Sequence, residues 1–89
     1  MINKVEFNLS KKELKKLPDY IYLKLLRWAK QVELVGLKEV QKSPGWRDEQ
    51  LEGKRKGQRS IRLNRSYRAI YIIKGEKVLV ILEANKHDY

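Results

Sequence analysis

Between Gly53 and Arg68 the chain reads Gly-Lys-Arg-Lys-Gly-Gln-Arg-Ser-Ile-Arg-Leu-Asn-Arg-Ser-Tyr-Arg, with seven basic residues and no acidic one. Arginine offers planar, bidentate donors and lysine a mobile point charge, the two chemistries that together hold a phosphate backbone. A second reading of the same string is a solubilising edge whose cations discourage sheet-to-sheet pairing. The single histidine, His87, carries the one side chain whose unperturbed pKa, about 6.5, lies near neutrality. It is the candidate general acid or base, against the plainer alternative of an inert surface imidazole. With no cysteine and one histidine, neither a disulfide framework nor a thiolate or multi-histidine metal site is available, and no cofactor is expected.

These groups can act together only if the fold gathers them. The chain has 89 residues and a formal charge of +10 from 21 Lys and Arg against 11 Asp and Glu. That length suits one core and one domain, residues 1–89, since independent domains usually run to roughly 100 to 150 residues. Apolar residues at 42% are enough to build that core. So large a charge on so small a body sets up a positive field reaching about 8 Å in physiological salt, and nucleic acid is the first partner to expect. The start of the chain shows no signal-peptide core. The longest apolar run, Val78 to Leu82, is far short of the roughly 20 residues of a membrane helix. A cytoplasmic protein without a membrane partner is the expectation.

The pattern predicts the positioning elements in order. Val5, Phe7 and Leu9 alternate with polar residues as on a short strand facing a core. Ser10 with Glu13 three residues on forms a capping-box pattern for a short helix through Lys11 to Leu17. Pro18 opens a main helix running to about Lys42, with Tyr22, Leu25, Ala29 and Val32 inward and Lys24, Arg27 and Gln31 outward, weakened at Gly36 and ended by Ser43-Pro44-Gly45. The polar stretch from Trp46 to Gly57 reads as a loop with a helical turn near Arg47 to Leu51. Runs at Arg59 to Asn64, Tyr67 to Ile73 and Lys77 to Ala84, separated by hairpin-sized gaps, predict three antiparallel strands. The result is an α+β fold: strand, helix, helix, then a three-stranded meander, with the long helix across one face of a small twisted sheet. The basic string therefore shares a loop rim and one sheet surface.

The segment Leu-Glu-Gly-Lys-Arg-Lys-Gly-Gln-Arg-Ser-Ile-Arg-Leu-Asn-Arg-Ser-Tyr-Arg-Ala-Ile-Tyr and the C-terminal Val-Leu-Val-Ile-Leu-Glu-Ala-Asn-Lys-His-Asp-Tyr resemble the HigB-like branch of the RelE/ParE toxins. In that branch a Gly-Gln-x-Ser-Ile-Arg strand, a Tyr/Trp-Arg strand and a His-bearing C-terminus recur. The second half of the chain matches closely and the first half in its order of elements. The resemblance implies a type II toxin, monomeric when free, held inactive by a cognate antitoxin, that cuts mRNA in the ribosomal A site and contacts rRNA. Its relatives include a ParE-like branch that inhibits DNA gyrase without nuclease residues. A non-catalytic basic RNA-binding module is the remaining alternative.

Cutting RNA without a metal requires a base for the 2′-hydroxyl, a cation for the crowded phosphorane and an acid for the leaving 5′-oxygen. The candidate catalytic residues are His87, Arg68, Arg62, Glu83 and Tyr89. Arg62 and Arg68 suit phosphate stabilisation, and Arg68 falls on the family's Tyr/Trp-Arg position. Parity places Arg68 on the same side of its strand as Ile70 and Ile72, so a bulge or a barrel-like twist is needed for it to reach the concave surface. Glu83 can orient His87, serve as base, or simply end a strand. Tyr89 can stack on a base or take part in proton transfer, although Asp88 separates it from His87. Lys54, Arg55, Lys56, Arg59, Arg65 and Lys86 are the candidate RNA-binding cations.

Overall fold

The computed structural model describes residues 1–86 as backbone and residues 1–81 with their side chains. The order of elements is β1 (Lys4–Phe7), α1 (Lys11–Lys15), α2 (Asp19–Val35), α3 (Leu37–Gln41), β2 (Glu49–Gln50), β3 (Arg59–Arg62), β4 (Tyr67–Lys74) and β5 (Lys77–Lys86), with 3-10 turns at Pro44–Trp46 and Gly53–Arg55. The strands form one five-stranded sheet in the order β1-β5-β4-β3-β2, in which β1 runs parallel to β5 and the other neighbours are antiparallel. The expected α+β class and the three-stranded meander are present. The sheet is larger than the sequence suggested, because β2 adds an edge beside β3.

The predicted capping box closes α1: Glu13 N donates to Ser10 Oγ at 3.0 Å, and Ser10 N donates to Glu13 Oε1 at 3.1 Å. The main helix does not run unbroken to Lys42. It ends at Gly36, whose φ of 89° and ψ of 152° lie in a region open essentially to glycine alone. There the N-terminal segment crosses the chain, and Leu37 N donates to Ile2 O at 2.7 Å. A Cβ on Gly36 would sit 2.8 Å from Met1 Cγ and Sδ.

One sheet face carries Val5, Phe7, Val78, Val80, Tyr71, Ala69, Ile61 and Leu63, and α2 lays Ile21, Leu25, Trp28, Ala29 and Val32 into that core. The buried stripe centres on Ile21 and Trp28 rather than on Tyr22, which is only half-buried. Gln31 is not an outward polar residue either. Its Oε1 accepts from Trp46 Nε1 at 3.1 Å, and Lys24 Nζ stands 5.9 Å from the centre of the same indole. Trp46 is thereby buried, and the segment after it is drawn against the sheet as β2 instead of forming the expected helical turn through Arg47 to Leu51.

Candidate functional site

Strand pairing divides the basic string between the two sheet faces. Cα partners on neighbouring strands project to the same side. Arg62 opposite Arg68, Ser60 opposite Ile70, and Glu49 opposite Ser60 therefore share the face turned away from the helices. Arg59 opposite Tyr71 projects to the helical side. The β4–β5 ladder shifts register between Arg68 and Ile70 and again between Ile70 and Tyr71. Arg68 nevertheless needs no irregularity to reach the face turned away from the helices. Contrary to the expectation from parity, Ile70 lies on the same outer face, and the β3–β4 register through both residues is unbroken.

Arg68 is held rather than loosely extended. Its Nε and Nη2 both donate to Ser60 Oγ, at 3.1 and 2.9 Å, and Nη2 also donates to the carbonyl of Arg47 at 2.9 Å. Glu49 Oε2 lies 3.8 Å from Nη2, and the Arg68 side chain is 11% exposed. A guanidinium has five N–H donors. Three are engaged here, which leaves the two on Nη1 without a partner among the described residues. Arg62 Nε donates to Asn64 O at 3.3 Å. Asn64 Oδ1 accepts from the backbone of Ser66 and Tyr67 at 2.7 and 2.8 Å, an Asx turn that shapes the β3–β4 hairpin and fixes where Arg65 leaves it.

Arg47, Arg62, Asn64, Arg65 and Arg68 line a polar cleft of about 210 Å³. Among the described residues no carboxylate lines it, and the one that comes near, Glu49, touches only the Nη2 edge of Arg68 at 3.8 Å. Four guanidiniums around one small space repel one another unless an anion enters, and the geometry suits a phosphate whose oxygens take two or more donors at once. Arg47 reaches the cleft from a left-handed backbone conformation, φ 44°.

The sequence candidates fall into four groups. Arg62, Arg65 and Arg68 meet in the cleft. Lys54, Arg55 and Lys56 stand exposed on and just after the Gly53–Arg55 turn. Arg59 is on the opposite face, where its Nε donates to Asp48 Oδ1 at 2.6 Å. Burial alone would lower the Arg59 pKa, but hydrogen bonding and charge from Asp48 outweigh it and the net direction is upward. Glu83 and Lys86 belong to β5, described there as backbone only, and their side-chain roles lie outside the described residues, as do His87 and Tyr89 altogether. The β5 backbone does reach the cleft: Asn85 pairs with Arg68 and Lys86 with Tyr67.

Four contributors escaped the sequence reading. Arg47 and Asp48 lie in a stretch without periodicity, although a tryptophan at its head was a sign that it packs. Ser60 reads as an ordinary outward residue of a strand. Asn64 is legible only as a turn former.

No protein-family model and no curated protein matches the sequence. Solved structures do match in shape. The toxin–antitoxin complex RelBE2 from Mycobacterium tuberculosis is similar at TM-score 0.68 and 20% identity, covering 98% of this chain and 100% of that one. The YoeB/ParE toxin from Agrobacterium tumefaciens gives 0.64 and 17%, covering 96% and 99%. The YoeB–YefM complex from Staphylococcus aureus gives 0.65 and 17%, covering 97% of each chain. The chain has the fold of the RelE/YoeB/ParE-type toxins, as the resemblance in its second half implied.

Proposed function

We propose that this protein acts, as one domain, as the toxin of a type II toxin–antitoxin pair and cuts mRNA on the ribosome without a metal ion. The observation that carries the reading is the convergence of Arg47, Arg62, Arg65 and Arg68 on one cleft, in a chain whose fold is that of known toxins. The solved relatives include complexes with antitoxins, and a positive cleft of this kind is the surface an acidic antitoxin would neutralise. An mRNA on the ribosome places the site of action in the cytoplasm. Among the described residues, no helix is long and apolar enough to cross a membrane.

In the proposed reaction the 2′-oxygen attacks the adjacent phosphorus and the bond to the 5′-oxygen breaks. Arg62 and Arg68 meet the charge that builds on the non-bridging oxygens of the phosphorane. His87 follows Lys86 in the chain, and Lys86 is the residue of β5 paired with Tyr67. It is assigned the proton exchange, taking the proton of the 2′-hydroxyl or supplying one to the 5′-oxygen, with water completing the other transfer. Glu83 orients His87, and Tyr89 stacks on a base. Lys54, Arg55, Lys56, Arg65 and Lys86 hold flanking phosphates of mRNA and rRNA. Arg59 is left out of this set because Asp48 holds it on the other face.

The test is parallel induction of the wild type, His87→Ala and Arg68→Ala in a bacterial host, following growth and mapping mRNA 5′ ends. The expected result is arrest by the wild type with new ends at codon-phased positions, both lost in the variants. Arrest without new RNA ends would overturn the nuclease in favour of a gyrase-directed toxin. Absence of arrest would favour a binding module.

A further inference from the structure

Ser60 is the one polar residue buried as a whole, backbone and side chain together, among the described residues, 1% exposed, and it stands in the middle of β3 on the face turned away from the helical core. A β-branched apolar residue would satisfy strand propensity better at such a place. What serine provides is an oxygen that accepts twice from one guanidinium, Arg68 Nε at 3.1 Å and Nη2 at 2.9 Å. The second Nη2 donor goes to the carbonyl of Arg47 at 2.9 Å. Two acceptors, one on β3 and one in the segment that leads into β2, thus fix both the position and the plane of the group.

The restraint matters because Arg68 pairs directly with Arg62. Like charges opposite one another on a sheet repel, and an unrestrained arginine has rotamers enough to swing away. With Ser60 and the Arg47 carbonyl holding one edge, the two Nη1 donors are, among the described residues, the ones left for the cleft.

We infer that Ser60 is a positioning residue: the contact of its Oγ with Arg68 Nε and Nη2 holds that guanidinium beside Arg62 in the geometry that receives a phosphate. This deepens the proposed nuclease reading and rests on it. The role is transmitted through Arg68. Removing the hydroxyl leaves the charge of the cleft intact and loosens its aim. Substrate capture, which depends on charge, therefore changes little, and the chemical step slows.

The experiment is cleavage of a defined mRNA on programmed ribosomes by the full chain, with kcat and KM measured for wild type, Ser60→Ala, Ser60→Thr and Arg68→Ala. Near-ultraviolet circular dichroism normalises each to folded protein. Misplacing a stabilising group by about 1 Å can cost ~100-fold in rate, so Ser60→Ala is expected to lower kcat about 10- to 100-fold with KM within about threefold. Ser60→Thr, which keeps the oxygen, is expected to recover kcat to within about threefold of wild type. If Arg68→Ala cuts as the wild type does, the cleft reading itself fails. If Arg68→Ala is inactive while Ser60→Ala keeps the wild-type kcat, the cleft reading stands and the positioning role is overturned. A loss in Ser60→Ala that Ser60→Thr does not restore, or that falls on KM alone, also overturns it.

Discussion

Asp48 and Arg59 form an ion pair of 2.6 Å in which the carboxylate side chain is 1% exposed and the guanidinium 28%. The second carboxylate oxygen accepts from the Tyr71 hydroxyl, which in turn accepts from Gln41 Nε2 at 2.9 Å. One carboxylate therefore ties β2's leading edge to β3, β4 and the end of α3. The residue before it, Arg47, offers its carbonyl to Arg68 on the other face. Removing Asp48 strands a half-buried cation and an unpaired phenol. Asp48→Ala is expected to destabilise the fold by about 2 to 4 kcal/mol, less than a fully buried pair because water still reaches Arg59. The urea midpoint checks it, and a midpoint equal to wild type would mean that this carboxylate does not hold the segment.

Tyr71 gives the same network a pH signature. Burial, reinforced by the hydrogen bond to Asp48, pushes its pKa upward from the ordinary 10.0. The folded state therefore favours the neutral phenol more than the unfolded chain does. The resulting stabilisation is complete below pH 10 and is lost as pH rises above it, while the unfolded chain ionises and the folded one resists. Urea midpoints of wild type and Tyr71→Phe, measured from pH 8 to 11, should differ most at the low end and converge toward the high end. Taking the difference cancels the lysines and other tyrosines that titrate in the same range. Parallel curves would refute the assignment.

Periodicity and turn chemistry carried the capping box at Ser10 and Glu13 and the hairpins. The meander followed from them, because each rests on local rules that read a few residues at a time. What was not legible depends on partners distant in sequence. Alternation already sets Arg59 on the opposite side of the strand from Arg62, three residues on; what was not legible is that Asp48, eleven residues earlier, holds it there. Nothing in Glu49-Gln50 reads as a strand. That pairing exists because Trp46 anchors to Gln31 and Asp48 to Arg59. The parity of Arg68 with Ile70 suggested that an irregularity was needed, because Ile70 reads as a core residue; in the fold Ile70 lies on the outer face beside Ser60, and Arg68 reaches that face in regular register.

Gly36 is the position where a local rule was visible and its consequence was not. A glycine in a helical run weakens the helix. Its φ of 89° shows that here the helix stops and the chain turns to meet Ile2. Gly36→Ala is expected to destabilise by about 1 to 3 kcal/mol, because an L side chain is strained in that region. The added Cβ also meets Met1 Cγ and Sδ at 2.8 Å, but methionine is flexible and can move. Thermal melting checks the effect. A Met1→Ala background that leaves the loss intact would assign it to backbone strain rather than to the contact.

The division of the basic string between two faces can be read out by salt. Each arginine that contacts a phosphate releases counterions, so its removal flattens the dependence of log affinity on log salt, by about 0.7 per contact for single-stranded RNA. Arg62→Ala and Arg65→Ala, both in the cleft, are expected to flatten the slope by about that amount each. Arg59→Ala is expected to leave the slope within error, although it removes the same formal charge, because its guanidinium is committed to Asp48 on the far face. Fluorescence anisotropy of a labelled single-stranded RNA from low to moderate salt makes the comparison, with each variant's fold confirmed first. Equal flattening by all three variants would mean that the cations act through overall charge and not through the cleft.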